Sequence, residues 1–330
     1  MRFTRAGRAS LAAAGGLAVA VLAAACTSSQ TGASATTASA HLEKTNLIVG
    51  SLPVVDTAGL FLAQQNGYFK QAGLNVTIKP IKATPQAIPD MEKGTVDIVA
   101  GANYVSFFQA DETKHLNLKV LADGESCSTD TFEVLSLPGS GIKSAKDLAH
   151  KKIAVNTPNN VQTLLTNTAL QTAGVSPTSV TYKPVAFPLM GAALADHQVD
   201  AISVVEPFIT ENELGIGAQP VMSTCTGPTA GFPISGYFAT SAFVQKYPNT
   251  ARAFQRAVDR GQALADSSRS DVEEIMPNYI KGLTPNQAAV VNLGQFPTSI
   301  DQTHLQRVAS AMASGHLVPA NFSVAPLLFH

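Results

Sequence analysis

The stretch Gly59–Ile78, GLFLAQQNGYFKQAGLNVTI, carries the pattern on which the reading of the whole chain rests. It predicts a helix from about Ala58 to Phe69 with a break at Asn66-Gly67, a turn at Gly73, and then a strand alternating through Asn75–Ile78. Asp56 or Thr57 is placed to cap the helix, which leaves its first amides facing the loop before it. Tyr68 and Phe69 read as core packing. No residue of the stretch is a metal ligand or an evident catalyst, so its role is architectural.

The same alternation of strand and helix continues on both sides. Asn46–Ser51 is a β-branched apolar run ending in a proline-containing loop, and strands are predicted at Val96–Gly101, Leu118–Gly124, Phe132–Leu137 and Lys152–Asn156. After Asn156, Thr157 is placed as a cap and Pro158 as the first helical residue. Val161, Leu164, Leu165 and Thr168 then share one helix face, and Gly174 ends the helix. Strand, helix and strand recur through Phe208. A further strand follows at Gly236–Thr240, and the rest of the chain to Met312 is mostly helical. Such alternation argues an α/β chain with parallel sheets, and there are more units than one open sheet needs, so two lobes are expected.

Composition narrows the function classes. A chain of 330 residues with 45% hydrophobic and only 14% charged residues is globular and large enough for two lobes. The sparse, balanced charge argues against a nucleic-acid surface. Residues 1–25 stand apart: Arg2, Arg5 and Arg8 precede an apolar run of small residues, as in a secretory signal peptide. The run ends VLAAAC, which resembles a bacterial lipobox, although Ala23 stands where that pattern has leucine. The resemblance implies lipidation of Cys26 and a chain anchored to the outer face of the bacterial cell membrane. Residues 26–44 read as a flexible tether. Loss of residues 1–25 leaves 19 basic against 23 acidic side chains, a net charge of −4. Cys127 and Cys225 remain; an even pair in an exported protein permits one disulfide, and two buried thiols are the alternative.

Tests for enzyme chemistry give nothing above background. There is no Walker A sequence, no GxSxG elbow and no HExxH, and PGSGIKS (Pro138–Ser144) lacks the third glycine of a dinucleotide loop. The seven histidines are scattered. Asp97 and Asp200 read as turn and cap residues. No metal site and no cofactor are expected.

An ordered set of short motifs resembles the periplasmic-binding-protein family serving nitrate, sulfonate, taurine and thiamine-pyrimidine importers. FLAQQNGYFKQAGLNVTI matches its helix-to-strand segment and MEKGTVDIVAG its turn and strand. IKSAKDLAHKKIAVNTPNN matches a strand with its cap, with His150 in place of the usual glycine. ALADHQVDAISVVEPF matches a strand closing in Glu-Pro, and GYFATSAFVQKYP the return to the first lobe. The likeness covers roughly Thr45 to Ala265. It implies a two-lobed α/β clam-shell of the type II-like periplasmic-binding-protein fold, each lobe a mixed, mostly parallel sheet flanked by helices. Lobe 1 would hold residues 45–128 and 227–330, and lobe 2 residues 129–226. The crossings then fall near Cys127 and Cys225, which makes a disulfide beside the hinge the expected pairing.

Ligands of open α/β sheets bind beyond the carboxyl ends of the strands. That rule and the resemblance together nominate Ser51, Asp56, Asn103 and Tyr104 on lobe 1. They add Ser126 at the hinge and Thr157, Asn160, Phe187 and Glu206 on lobe 2. Amides after Thr157 could hold an anionic group, and Tyr104 and Phe187 could sandwich a planar or apolar body. The candidate loops carry two carboxylates and no Arg or Lys. This disfavours nitrate or sulfate and leans toward a neutral, amino-bearing or zwitterionic solute, with an organosulfonate still open. The resemblance implies a monomeric solute-binding lipoprotein, not an enzyme, delivering a small organic solute to an ABC permease and ATPase, with no nucleic-acid partner. A thiamine-pyrimidine-synthase-like enzyme on the same fold, or a ligand sensor, are the alternatives.

Overall fold

The computed structural model describes residues 41–329; the signal peptide, Cys26 and most of the expected tether lie outside the described residues. Two five-stranded sheets organise the chain. The first holds β1 (Asn46–Ser51), β2 (Asn75–Pro80), β3 (Ile98–Asn103), β4 (Leu118–Asp123) and β10 (Ser235–Thr240), in the order β2-β1-β3-β10-β4. The second holds β5 (Phe132–Ser136), β6 (Lys152–Val155), β7 (Thr181–Pro184), β8 (Ala201–Val205) and β9 (Gln219–Ser223), in the order β7-β6-β8-β5-β9. The structure is a two-lobed α/β protein.

Each sheet has four strands running one way and one running against them, β10 in the first and β5 in the second. The purely parallel sheets that simple alternation predicts are therefore mixed, as the family resemblance implies. The reason is topological. The chain leaves β4 at its carboxyl end and crosses to the other sheet, so β5 starts at the end where its neighbours finish. The return from β9 to β10 repeats this. Both reversed strands are the first after a crossing, and both sheets face the crossings with their carboxyl ends.

The two lobes anchor their sheets alike. Asp97, just before β3, accepts a hydrogen bond from Ile48 N (2.9 Å), and Asp200, just before β8, accepts one from Lys152 N (2.7 Å). These are the turn carboxylates of the sequence analysis, each tying one strand to its neighbour. Helix α1 (Ala58–Gln65) ends before Gly67, whose φ of 69° breaks it at the predicted place. It packs on the helix Pro248–Ser267 with backbones almost touching: a Cβ on Gly261 would lie 2.0 Å from the Gly59 carbonyl oxygen. Gly59, first letter of the opening stretch, is thus a contact glycine. Phe69 stacks on Phe254 of the helix Pro248–Ser267 as core, with ring centroids 5.3 Å apart. The last residues assigned to the tether are held: the Glu43 carboxylate accepts from Asn249 N and Thr250 N, and Lys44 pairs with Asp97 at 2.6 Å. No helix among the described residues is long and apolar enough to cross a membrane.

The crossings run side by side. Cys127 and Cys225 are joined by a disulfide, with Cα atoms 5.9 Å apart. A third segment, 292–295, lies across them: Ser126 N donates to Gln295 O and Gln295 N to Ser126 O, both at 2.9 Å. Two carboxyl groups grip this segment, one on the first crossing and one just after β8. Glu125 accepts from Gly294 N at 2.9 Å, and Glu206, after β8, accepts from Asn292 N at 2.9 Å and from Thr210 N at 3.2 Å. Burial pushes the Glu206 carboxyl up to about 7, even though these donors favour its charged form.

Two outcomes follow. Opening the Cys127–Cys225 bond, which spans 98 residues of sequence, by replacing both cysteines with serine should cost about 2–5 kcal/mol in urea unfolding. The same titration in reducing agent should match the variant, and a variant as stable as the oxidised parent contradicts the bond. The second concerns pH. The Glu206 carboxyl titrates near the ordinary 4.5 of a glutamate when unfolded and about 7 when folded. In that window the folded state binds more protons, so stability falls as pH rises. A Glu206→Gln protein should lose less melting temperature than the parent between about pH 5 and 8; equal slopes would exclude Glu206 as a contributor.

Candidate ligand-binding cleft

Between the carboxyl ends of the two sheets lies a cleft with one wall from each lobe. Its inner part is a small space of about 30 Å³, scarcely one water molecule. Asp56, Thr84, Gly101 and Asn103 line it from the first lobe, and Asn156, Asn160, Gln162 and Phe187 from the second. It shares Leu52, Val54 and Phe187 with an outer groove of about 430 Å³, whose walls add Ile81, Leu189 and Phe208. Polar groups therefore sit deep, and apolar ones at the mouth.

The second-lobe wall is organised by Gln162. Its side-chain oxygen accepts from Asn156 N (2.9 Å) and Asn160 Nδ2 (3.0 Å), while its amide nitrogen donates to the Ser203 carbonyl. Asn160 in turn accepts from Thr163 N (3.1 Å) and caps the helix Val161–Thr172 in a capping box. A buried network satisfied this fully holds its members in place before any ligand arrives. The first-lobe wall is tied similarly: Asn103 accepts from Ser106 N (2.8 Å), capping the helix Tyr104–Lys114, and donates to Thr84 Oγ1 (3.2 Å). Gly101, with φ 65°, lets the loop before α1 come close, since a Cβ there would lie 2.7 Å from Thr57 Cγ2.

Asp56 is the single charged side chain of the inner lining among the described residues. It does not cap α1, and neither does Thr57, whose hydroxyl donates to Leu52 O and Val54 O instead. The Asp56 carboxyl faces inward to Glu125, and both are almost fully buried. Burial raises both carboxyls; the charge of Asp56 pushes Glu125 further up, whereas Glu125 acting as donor eases the charge on Asp56. The two carboxyls therefore titrate as one buried pair, each raised by burial and Glu125 raised further by its neighbour.

Of the nominated residues, Asp56, Asn103, Asn160 and Phe187 come together in the cleft. Tyr104 does not. It is fully buried, its hydroxyl donates to the Asp123 carboxylate, and its ring packs against Phe108 and Phe238. The partner of Phe187 is instead Phe208, stacked at 5.1 Å within the second lobe. Ser51 is buried at the end of β1, Ser126 belongs to the crossing, and Glu206 braces segment 292–295 rather than lining the cleft. The predicted helix start at Thr157 moves to Asn160: residues 157–159 form a loop, and Thr157 Oγ1 is buried without a hydrogen-bond partner. Thr84, Asn156, Gln162 and Glu125 escaped the sequence analysis. Thr84 and Asn156 follow strand ends and fall within the strand-end rule; nothing local marks Gln162 or Glu125. No cluster of metal-ligating side chains occurs among the described residues.

Solved structures that share this architecture include a binding protein and an enzyme. The alkanesulfonate-binding protein SsuA from Xanthomonas axonopodis pv. citri, solved with MOPS, superposes with a TM-score of 0.73 over 88% of this chain and 99% of that one, at 18% identity. The desulfurization enzyme DSZB superposes with a TM-score of 0.63 over 86% and 95%, at 15% identity. The shared fold is that of periplasmic binding proteins. In sequence, the nitrate/nitrite binding protein NrtA of a Nostoc species is 22% identical over 253 residues, 70% of this chain. The chain matches 56% of that relative's length. The model of the NMT1/THI5-like family matches residues 55–267, and the chain belongs to that family.

Proposed function

We propose that this protein is the extracytoplasmic solute-binding component of an ABC importer, a monomer that closes on a small organic solute and delivers it to a permease with its ATPase. The observation that carries the reading is the two-sided cleft. Asp56 and Thr84 approach from one lobe, Asn156 and Asn160 from the other, and the lobes are joined at side-by-side crossings. A ligand touching both walls favours the closed arrangement by its differential contacts alone. Micromolar affinity, about −8.2 kcal/mol, is within reach of a few such hydrogen bonds at roughly 0.5–1.5 kcal/mol each together with apolar burial at the mouth. The named relatives that bind nitrate, nitrite or alkanesulfonate support a solute-binding role. The solute here belongs to the sulfonate, amino, zwitterionic or pyrimidine-like classes. The cleft offers amides, a hydroxyl, a carboxyl and aromatic faces, a set suited to binding rather than to bond cleavage. Lobe 1 comprises residues 45–128 and 227–330, and lobe 2 residues 129–226. Cys26 carries the lipid that holds the protein at the membrane.

Protein purified from its source and measured by native mass spectrometry should carry, or take up, one small molecule. That molecule should raise the melting temperature as its concentration climbs, with about 2.7 kcal/mol of stabilisation at a hundred times Kd. Asn160→Ala should weaken binding at least about tenfold and cost about 1 kcal/mol of stability through the lost cap. Binding unaffected by this change would remove the second-lobe wall from the site. Labelled palmitate should enter the protein and be lost in Cys26→Ser; labelling that persists would place the anchor elsewhere.

A further inference from the structure

The inner cleft has a carboxyl pair and no base to neutralise it. Asp56 and Glu125 are 6% and 3% exposed, and the ion pairs among the described residues, Lys44–Asp97 and Arg269–Glu273, leave them without a basic partner. The titratable groups that face the pair from the surrounding elements are Tyr237 on β10, Tyr279 on the helix Arg269–Tyr279, and Glu206 after β8; none is cationic. Ser235 Oγ, 1% exposed, sits against Asp56 without a well-formed hydrogen bond to any group, and Tyr237 Oη nearby also lacks a partner. Glu125 is spoken for on one oxygen by Gly294 N, which leaves Asp56 as the member that reaches the cleft.

An uncompensated buried carboxylate is costly unless it takes up a proton or a cation. Beyond it the stacked Phe187–Phe208 pair and Leu189, which is 61% exposed, build an apolar passage to solvent. Lys82, the one base on the outer groove, stands at the rim. Accepting the solute-binding reading above, we infer that the solute carries a cationic nitrogen, an ammonium or amidinium, that seats on Asp56, and a flat apolar body that runs out along Phe187 and Phe208. Asp56 is the specificity-determining residue of the cleft, and Glu125 positions it. A protonated Asp56 offers no charge, so capture of a cation weakens on the acid side of its raised pKa by about tenfold per pH unit. An anionic solute would show the opposite slope.

The test uses benzamidinium and benzylammonium chlorides as cationic probes and butane-1-sulfonate and nitrate as anionic ones. Each is titrated by thermal shift and calorimetry between about pH 5 and 8, on the parent and on Asp56→Asn. A cation-specific rise in melting temperature that fades toward acid pH in the parent and is lost in Asp56→Asn supports the inference. The pH profile is read on the unmodified protein and stands even if the variant folds poorly. A rise with an anion but not with a cation overturns the cationic solute while leaving the solute-binding role intact, as does cation binding that Asp56→Asn retains. If no probe acts, the molecule found by native mass spectrometry in protein from its source decides: a cation supports the inference and a neutral or anionic molecule overturns it. If no molecule is found either, the inference and the solute-binding role fall together.

Discussion

Everything in this molecule depends on how its crossings are held together. The Cys127–Cys225 bond ties two of them, and the paired amides and carbonyls of Ser126 and Gln295 add a third strand of chain. That arrangement explains the reversed strands β5 and β10, because a chain crossing from one set of carboxyl ends enters the next sheet from its cleft side. It also places the carboxyl ends of both sheets opposite one another, which is where open α/β sheets bind ligands. The cleft is a consequence of the crossing.

The electrostatics follow from the same geometry. Glu125 lies on the first crossing, Glu206 at the end of β8, and Asp56 in the loop before α1, so the crossing gathers three buried acids about one point. Glu125 and Glu206 work structurally, as acceptors for the amides of Gly294 and Asn292. Asp56 alone turns to the cleft. The raised Glu206, at about 7, means the brace weakens the fold as its charge appears.

Much of the fold was legible in the sequence. The strand β1 and the break at Gly67 fall where apolar periodicity and glycine place them, because those signals are local. The helix start at Thr157-Pro158 was misplaced for a nonlocal reason: Asn160 caps better because Gln162, reaching to Ser203 on β8, fixes the loop before it. The site was half legible. The strand-end rule finds Asn103 and Asn160, but it cannot tell which way a side chain turns. Tyr104 points into the core because Asp123, at the end of β4 in the same sheet, accepts its hydroxyl. Glu125 could not be found at all, since only the tertiary fold brings it beside Asp56. Gly59 looked like an ordinary helix residue until its partner, Gly261, came into contact.

On this reading one small molecule is gripped by both lobes at once. The decisive measurement is a crystal structure of the protein holding the solute with which it is isolated. Density is expected in the inner cleft, touching Asp56 on one side and Asn156 or Asn160 on the other, with a body lying along Phe187. Density confined to one lobe, or outside the cleft altogether, would contradict it.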